Sequence, residues 1–420
     1  MKYFRTDNPG RVAFFVPWYR ATNETFVSNE LYAFAKRGIV GTIYYEKLKK
    51  TSIQPVNKLI PYPSHYILGY PFQNIRGHRR EKLFSHLSLL FAHPLEYIRA
   101  IVFFCSMPIP KDRDLFILMG LIAARLRSDG TSLIYIHDGK WISFIGILCS
   151  LLSGIPCGII FHTEYVFAHP EDLSRKLANA TFSIFQSQYS KQYVITKTKK
   201  TQVYKQHMHV ISSPGVNIDF FTPCKKKKTK KSIRIISIGR LEEMKGFDRL
   251  IQAVKILRDE RRDVTCVIVG YGSQKTRLKR LIRTLRLEKY VLLAGPVGHT
   301  KRLLKLMNEA DIFVLPSRID SKNDRDMQPN AIKEAMAMKL IVITSELGGI
   351  REVIRHGYNG FLIPSATTEH IVRMIQHILM ISKEERDAVR HRARETIIEK
   401  YNEESITRRL ISVFLQYTGK

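Results

Sequence analysis

Two carboxylates beside a helix start are the residues best placed for chemistry in this chain. Asp326 and Glu334 have seven residues between them, and a polar loop ends at Pro329 before a helix rich in Ala and Met. Carboxylates accept hydrogen bonds from vicinal hydroxyl groups. Backbone N–H groups at a helix start favour phosphate. The pair therefore indicates a site for a molecule that carries both, such as a sugar nucleotide.

Two cations follow a predicted strand at residues 233–238. Gly239 ends that strand, and Arg240 and Lys245 flank the short loop before the next helix. Ligands of α/β proteins bind at the carboxyl ends of parallel strands. A departing diphosphate needs its charge neutralised, so the two cations suit such a leaving group. Taken alone, such residues are more often surface charges.

Two other strand ends give weaker signals. Gly270 and Gly272 follow a predicted strand at 265–269, and this G-x-G fits either phosphate binding or a tight turn. Val297 follows a strand at 291–293, where the backbone could meet the edge of a nucleobase.

Histidines end two predicted strands of the first half. His162 ends the strand at 158–162, and His137 with Asp138 ends the strand at 133–137. Carboxyl ends of parallel strands share one edge of a sheet, so these side chains could line one cleft. A structural role for each histidine is the plainer alternative.

The first predicted helix, residues 24–37, begins with a carboxylate and is ended by Gly38. Glu24, Asn29 and the neighbouring Glu30 could approach an acceptor. A carboxylate favoured at a helix start by the helix dipole is the simpler account of Glu24.

The length and the charge of the chain limit the number of domains and the kinds of partner that are expected. The chain has 420 residues, which predicts two domains of about 200 residues each. Its formal charge of +31 suits nucleic acid, an anionic membrane surface or phosphorylated substrates. Five cysteines without C-x-x-C spacing suggest reduced thiols in the cytoplasm, and the N-terminus does not resemble a signal peptide.

Strand and helix signals alternate, which predicts an α/β fold with parallel sheets and crossover helices. The predicted strands lie at residues 12–16, 41–45, 133–137, 158–162, 233–238, 265–269, 291–293, 312–315 and 340–343. A final helix is predicted at about 403–417.

Two apolar segments bear on membranes. Residues 141–161 are long enough to span a bilayer, but the break at 154–156 favours a buried helix, a turn and a buried strand. Residues 76–104 place four cations before an apolar helical run. That pattern fits a basic amphipathic segment on anionic lipid and equally a core helix with a basic start.

Several motifs together resemble the retaining GT-B glycosyltransferases of the large bacterial family 4, over nearly the whole chain. GRLEEMKGF resembles the G-R-L-x-x-x-K-G-x segment, and DMQPNAIKEAMA resembles E-G-x-P-x-x-x-x-E-A-M-A. SSPGVNIDFF and GGIREVIRHGYNGFLI also fit family patterns. NETFVSNELYAFAKRGI resembles a subgroup found in polysaccharide and lipopolysaccharide clusters.

The resemblance implies roles for individual residues. Arg240 and Lys245 would hold the donor diphosphate, Asp326 would face the donor sugar, and Glu334 would bind the ribose. His162 matches the family's histidine near the reacting sugar. The remaining donor-side positions are Gly239, Gly270, Val297, Met327, Gln328, Pro329 and Asn330, and the acceptor-side positions are Glu24, Asn29, His137 and Asp138.

The resemblance also implies two Rossmann-like domains that face each other across a cleft. The expected layout is an acceptor domain at 1–222, a Lys-rich linker at 223–231, a nucleotide-sugar domain at 232–396 and a returning helix at 397–420. A nucleotide-diphosphate sugar would be the co-substrate, with no metal and no other cofactor. The expected acceptor is a saccharide or lipid-linked saccharide, reached by a cytoplasmic protein on the inner face of the cell membrane.

Three residues depart from the family pattern. Asp326 replaces Glu, Met327 replaces Gly, and Lys339 replaces the Gly that closes the next helix. They favour altered specificity over lost activity. Two other functions stay open: a non-catalytic GT-B partner, and a basic nucleic-acid-binding protein, although no RNA or DNA module is recognisable.

Overall fold

In the computed structural model, the described residues are 9–19, 25–48, 56, 59–67, 79–108, 113–138, 141–162, 166–167, 169–198, 207–224, 232–321 and 323–419. The chain divides into two compact units. The first comprises Met1–Gln186, Lys191–Ser213 and Thr407–Lys420, and the second comprises Ser187–Ser190 and Pro214–Ile406.

The first unit contains a seven-stranded parallel sheet in the order β3-β2-β1-β4-β5-β6-β7. Its interior strand β1 carries the apolar run from Val12 to Val16, all of it fully buried, because helices cover both faces of such a sheet. The strands are β1 Arg11–Tyr19, β2 Val40–Leu48, β3 Ser64–Tyr66, β4 Thr131–His137, β5 Cys157–Phe161, β6 Phe182–Phe185 and β7 Met208–Val210.

The second unit contains a six-stranded parallel sheet in the order β10-β9-β8-β11-β12-β13. Both sheets therefore have a doubly wound order, in which the strand sequence reverses beside the first strand. The strands are β8 Ile233–Ile238, β9 Val264–Val269, β10 Val291–Gly295, β11 Ile312–Leu315, β12 Ile341–Ser345 and β13 Phe361–Ile363.

Helices connect the strands in both units. The first group is α1 Thr25–Lys36, α2 Arg79–Ala92, α3 Pro94–Ser106, α4 Arg113–Ser128, α5 Ile142–Ser153, α6 Leu173–Asn179 and α7 Gln188–Lys197. The second group is α8 Phe247–Asp259, α9 Lys275–Thr284, α10 Lys301–Glu309, α11 Asn330–Ala337, α12 Ile350–Val353, α13 Thr368–Met380, α14 Lys383–Lys400 and α15 Glu403–Thr418.

The apolar segment at 141–161 folds as predicted. Helix α5 is buried along its whole length, Gly154 ends it with a φ of 70°, and β5 follows as a buried parallel strand. Glycine adopts this left-handed conformation without the steric cost that a Cβ would bring.

The apolar helical run predicted in residues 76–104 is divided into two helices. Pro94 begins a new helix, because proline lacks the N–H that would continue α2. Within the described ranges, no single helix is long and apolar enough to cross a bilayer. Arg80–Ala92 and Pro94–Ser106 meet that criterion only as a pair, bent by 118°.

Four short strands were not predicted: β3, β6, β7 and β13. Each has only three or four residues, and a hydrophobic pattern this short is a weak signal.

In the second unit, two backbone hydrogen bonds join Val216 to the chain where α14 ends and α15 begins. The N–H of Val216 donates to the carbonyl of Tyr401 at 2.7 Å, and the N–H of Glu403 donates to the carbonyl of Val216 at 2.9 Å. A Cβ on Gly215 would lie 2.4 Å from the Cα of Glu403, so only glycine fits the P-G-V segment here.

Candidate functional site

The strand order of the second sheet reverses between β8 and β11, which pair directly. In doubly wound sheets this switch point, at the carboxyl ends of the strands, is where ligands bind. Gly239 follows β8, and Ser317 lies two residues beyond β11. The predicted cation and carboxylate segments both begin at this edge.

Lys245, Asp326 and Ser317 form a buried cluster there. The Nζ of Lys245 donates to Oδ1 of Asp326 at 2.5 Å, and the Oγ of Ser317 donates to Oδ2 of Asp326 at 2.5 Å. A 3₁₀ turn at Glu243–Lys245 carries the lysine. Gly246 ends that turn with a φ of 66°, and its Cβ would lie 2.1 Å from the carbonyl oxygen of Pro316. The absence of a Cβ therefore allows the lysine turn to lie against the end of β11.

Both oxygens of Asp326 are thus already engaged, and its predicted contact with a donor sugar stays a prediction. The next residue, Met327, is 1% exposed. Its Sδ lies 3.2 Å from the position that a Cβ on Gly348 would take. The side chain therefore packs into the interior beside Gly348.

Glu334 pairs with a histidine. Oε1 of Glu334 lies 3.2 Å from Nε2 of His299, which also packs edge-on against Phe221 at 5.2 Å. Burial lowers the pKa of His299, but the charge and hydrogen bond of Glu334 raise it, and the net shift is upward. The pair places the imidazole ring of His299 beside the carboxylate that was predicted to bind ribose.

Two glycines at the same edge touch through their backbones. A Cβ on Gly270 would lie 1.8 Å from the carbonyl oxygen of Gly239, and Gly270 has a φ of 151°. Any side chain at Gly270 would separate β8 from β9. Arg240 and Val297 are half-buried in the loops that follow β8 and β10.

The other donor-side positions lead into α11. Gln328 is buried, Pro329 caps the helix, and Asn330 is its first residue. Lys333 on the same helix was not predicted. It is 1% exposed, and its Nζ donates to the carbonyl of Pro214 at 3.3 Å. Burial lowers the pKa of Lys333 to about 8, although the charge of Glu334 opposes the shift.

The two predicted histidines of the first unit meet. Nδ1 of His137 lies 3.0 Å from Nε2 of His162, with 12° between the ring planes. Nδ1 of His162 lies 2.9 Å from Nε2 of Gln186, and Nε2 of His137 lies 3.2 Å from Oε1 of Glu30. The Oγ of Ser213 donates to the other oxygen of Glu30.

These contacts decide where the protons are. Nε2 of Gln186 also donates to the carbonyl oxygen of Ser213 at 2.8 Å, so this atom is the amide nitrogen. It therefore donates to Nδ1 of His162, whose proton must be on Nε2. His162 then donates to Nδ1 of His137, which leaves the His137 proton on Nε2, towards Glu30. Burial and then the nearby His137 place the pKa of His162 well below its usual range.

Both ring nitrogens of His162 are therefore occupied within the unit. The ring also packs against Phe26, with 4.6 Å between centroids. The predicted role of His162 near a reacting sugar stays a prediction.

Asp138 lies next to this network and is held separately. Its Oδ1 accepts from Nζ of Lys176 at 2.7 Å and from Oγ of Ser143 at 2.6 Å. Asn29 is half-buried on α1, and Glu24 lies outside the described residues. The bonds from α6 and α5 give Asp138 a structural anchor.

Sequence reasoning missed five residues of these networks: Gln186, Ser213, His299, Ser317 and Lys333. Gln186 follows β6, which was not predicted, so no strand end pointed to it. Ser317 follows the predicted strand β11 and offered the same strand-end signal as His162.

Comparison with known proteins shows which families and proteins this chain resembles. Residues 221–413 match the family model described as glycosyl transferases group 1. The chain is 30% identical over 205 residues to the putative colanic acid biosynthesis glycosyltransferase WcaL of Salmonella typhimurium, covering 48% of this chain and 50% of WcaL. It is 34% identical over 181 residues to the amylovoran biosynthesis glycosyltransferase AmsK of Erwinia amylovora, covering 43% of each. The chain spans about half the length of the curated relatives it matches.

The fold is shared more widely than the sequence. The structure resembles that of HepE of Anabaena, solved in complex with UDP and glucose, with a TM-score of 0.70 and 16% identity. The match covers 97% of this chain and all of the HepE chain. The predicted α/β GT-B fold is confirmed.

Proposed function

Since residues 221–413 match the family model described as glycosyl transferases group 1, we propose that this protein is a glycosyltransferase. It moves a sugar from a nucleotide-diphosphate sugar to a saccharide or lipid-linked saccharide acceptor in the synthesis of a cell-surface polysaccharide or glycolipid. Transfer retains the anomeric configuration and uses no metal. The second unit binds the donor, and the first unit binds the acceptor.

The observation that carries the proposal is the buried Lys245–Asp326 pair at the switch point of the second sheet. Asp326 holds the Nζ of Lys245 at the sheet edge, and Ser317 holds Asp326. Arg240, two residues after β8, adds a second cation. A diphosphate bound here would lie beside cations whose positions are already fixed. Cations fixed in this way stabilise the charge that develops on a leaving group, which is usually the largest catalytic effect.

In the proposed reaction, the bond between the anomeric carbon and the diphosphate oxygen breaks. The acceptor hydroxyl attacks the same face of the sugar and forms the new glycosidic bond. Its proton passes to the departing diphosphate, whose growing charge Arg240 and Lys245 stabilise. No oxidant or reductant is needed.

The names of the relatives support the biological context. WcaL and AmsK are named for the biosynthesis of colanic acid and amylovoran, which agrees with the predicted polysaccharide setting. The HepE complex with UDP and glucose supports a nucleotide-sugar donor. The charge of +31 supports work at an anionic membrane surface, where a lipid-linked acceptor would lie.

A thermal-shift screen with UDP, GDP, ADP, CMP and their sugars tests donor binding. A ligand at 100 times its Kd adds about 2.7 kcal/mol of stability. We expect one nucleotide to stabilise the protein and Arg240→Ala to abolish that shift. Lys275→Ala, a substitution on helix α9 of the same unit, is the matched control and should keep the thermal shift.

Release of free sugar from the recognised donor, measured over time, tests catalysis. Removing one such charged contact typically costs about 10²–10³ in kcat, so we expect a loss of that order in Arg240→Ala. Binding without turnover, with any of the screened sugars and a crude lipid-linked acceptor, would favour a non-catalytic GT-B partner. The buried Met327 in the donor motif is the observation that favours this second candidate.

A further inference from the structure

One surface of the first unit is unusually apolar. Eight large hydrophobic side chains on α2 and α3 are exposed, and they include Phe91 at 80% and Leu95 at 71%. We call this surface the hairpin face, and its members are Leu83, Phe84, Leu87, Phe91, Leu95, Ile98, Ile101 and Val102. Apolar patches of this extent on a soluble domain mark sites of interaction.

The two helices are anchored through their other side. His86 on α2 contacts the hydroxyl of Tyr97 on α3 at 2.8 Å and stacks on Phe116 of α4 with 5.3 Å between ring centroids. Phe103 of α3 packs on Phe144 of α5 at 6.1 Å. The hairpin face is therefore available to a partner, while the inner side belongs to the protein core.

Charge identifies the partner. Between residues 76 and 113 the sequence has seven Lys and Arg and three Asp and Glu, a net charge of +4. Arg80 and Arg99 are exposed on the two helices that carry the hairpin face. A second copy of a chain with a charge of +31 would be repelled by these cations, whereas an anionic lipid surface would be attracted.

We infer that the hairpin face inserts into one leaflet of an anionic membrane. The apolar side chains enter the boundary between headgroups and acyl chains, and the arginines remain at the headgroups, as in other interfacial amphipathic helices. The bend of 118° and the buried inner side exclude a straight crossing by this pair and favour shallow insertion. The inference rests on the proposed function in one respect, because insertion of the hairpin face would bring the acceptor domain to a lipid-linked substrate.

Cysteine chemistry offers a direct test of insertion. Cys105 on α3 and Cys224 in the second unit are exposed, while Cys149, Cys157 and Cys266 are buried. An environment-sensitive fluorophore on Cys105, in a Cys224→Ser background, should shift to the blue with vesicles of phosphatidylglycerol and phosphatidylcholine. The same label on Cys224, in a Cys105→Ser background, should not shift.

Co-sedimentation with the same vesicles tests the apolar residues. Phe91→Ser/Leu95→Ser should reduce the bound fraction at least tenfold. The matched control Leu292→Ser/Met380→Ser replaces two exposed apolar residues of the second unit and should bind as the wild type does. Vesicles of phosphatidylcholine alone should bind less well than anionic ones.

Three results would overturn the inference. They are unchanged binding by Phe91→Ser/Leu95→Ser, an unshifted Cys105 label on bound protein, and a dimer in sedimentation velocity that this variant abolishes while vesicle binding persists. The nucleotide-induced thermal shift of the same variant separates the two proposals. If that shift is intact, failure of membrane binding leaves the donor function standing.

Discussion

Lys245 and Asp326 form an ion pair across 81 residues of sequence, with side chains only 10% and 8% exposed. The pair joins the loop after β8 to the loop before α11 within the second unit. Its members were predicted as two independent ligands for a donor. In the structure each one determines the position of the other.

Breaking this pair should destabilise the protein strongly. Lys245→Ala leaves the charge of Asp326 buried without its partner, which typically costs about 3–5 kcal/mol. The double variant Lys245→Ala/Asp326→Ala should lose less than the sum of the two single variants, because no charge remains unpaired. Urea denaturation of the four proteins measures the coupling.

Lys255→Ala is the control for this cycle. Its partner Asp259 is 59% exposed, so the loss should be about 0–1 kcal/mol. Additive losses in the Lys245 and Asp326 cycle would contradict a coupled pair.

The histidine network predicts a pH dependence of stability. The pKa of His162 lies well below its usual range, because burial and His137 disfavour its charged form. The unfolded chain therefore binds a proton on His162 below about pH 6.5, while the folded protein does not. Stability from this residue is fully present above pH 6.5 and falls by up to about 1.4 kcal/mol for each pH unit below it.

His162→Gln isolates this contribution, since glutamine can still donate to Nδ1 of His137. The difference in unfolding free energy between wild type and variant should shrink as the pH falls from 7 to 5.5. A difference that stays constant over this range would show that His162 titrates normally. His391→Gln, which alters an exposed histidine paired with Glu395, provides the comparison.

Lys339 has a φ of 56°, in the left-handed region, where the family pattern has glycine. A side chain in this conformation costs about 1–2 kcal/mol, and glycine recovers that at an entropic cost of about 0.5–1 kcal/mol. Lys339→Gly should therefore raise the free energy of unfolding by about 0.5–1 kcal/mol.

Lys339→Ala keeps a Cβ in the same conformation and should give no such gain. Thermal unfolding of the two variants beside the wild type measures the difference. Equal stability of the glycine and alanine variants would rule out backbone strain at this position.

Lys333 should stabilise the protein more at alkaline pH. Burial lowers its pKa from 10.5 to about 8, so the folded protein binds fewer protons than the unfolded chain between those values. Stability from this residue therefore rises with pH across that window. Relative to Lys333→Met, the wild type should gain about 2–3 kcal/mol between pH 7 and pH 10.

Denaturation of both proteins at several pH values checks this expectation. The Met variant retains the length of the side chain and removes the titrating group. A constant difference between the two proteins from pH 7 to pH 10 would place the pKa of Lys333 at its ordinary value.

Much of the fold was predictable from local pattern. Alternating apolar segments indicated two parallel α/β sheets, and the strands Ile233–Ile238 and Ile312–Leu315 were predicted with their observed bounds. Gly154 and Pro156 were enough to divide residues 141–161 into helix and strand. These features depend on neighbouring residues, so the sequence carries them directly.

The site depended on contacts between distant residues. The sequence placed His137 and His162 at strand ends, and Lys245 and Asp326 in the loops that follow two strands. Only the tertiary structure decided that Asp326 uses both oxygens on Lys245 and Ser317, and that the amide of Gln186 sets the protons of the two histidines. A hydrogen bond requires two groups within about 3 Å. Which groups meet that requirement is decided when the strands are placed side by side in a sheet.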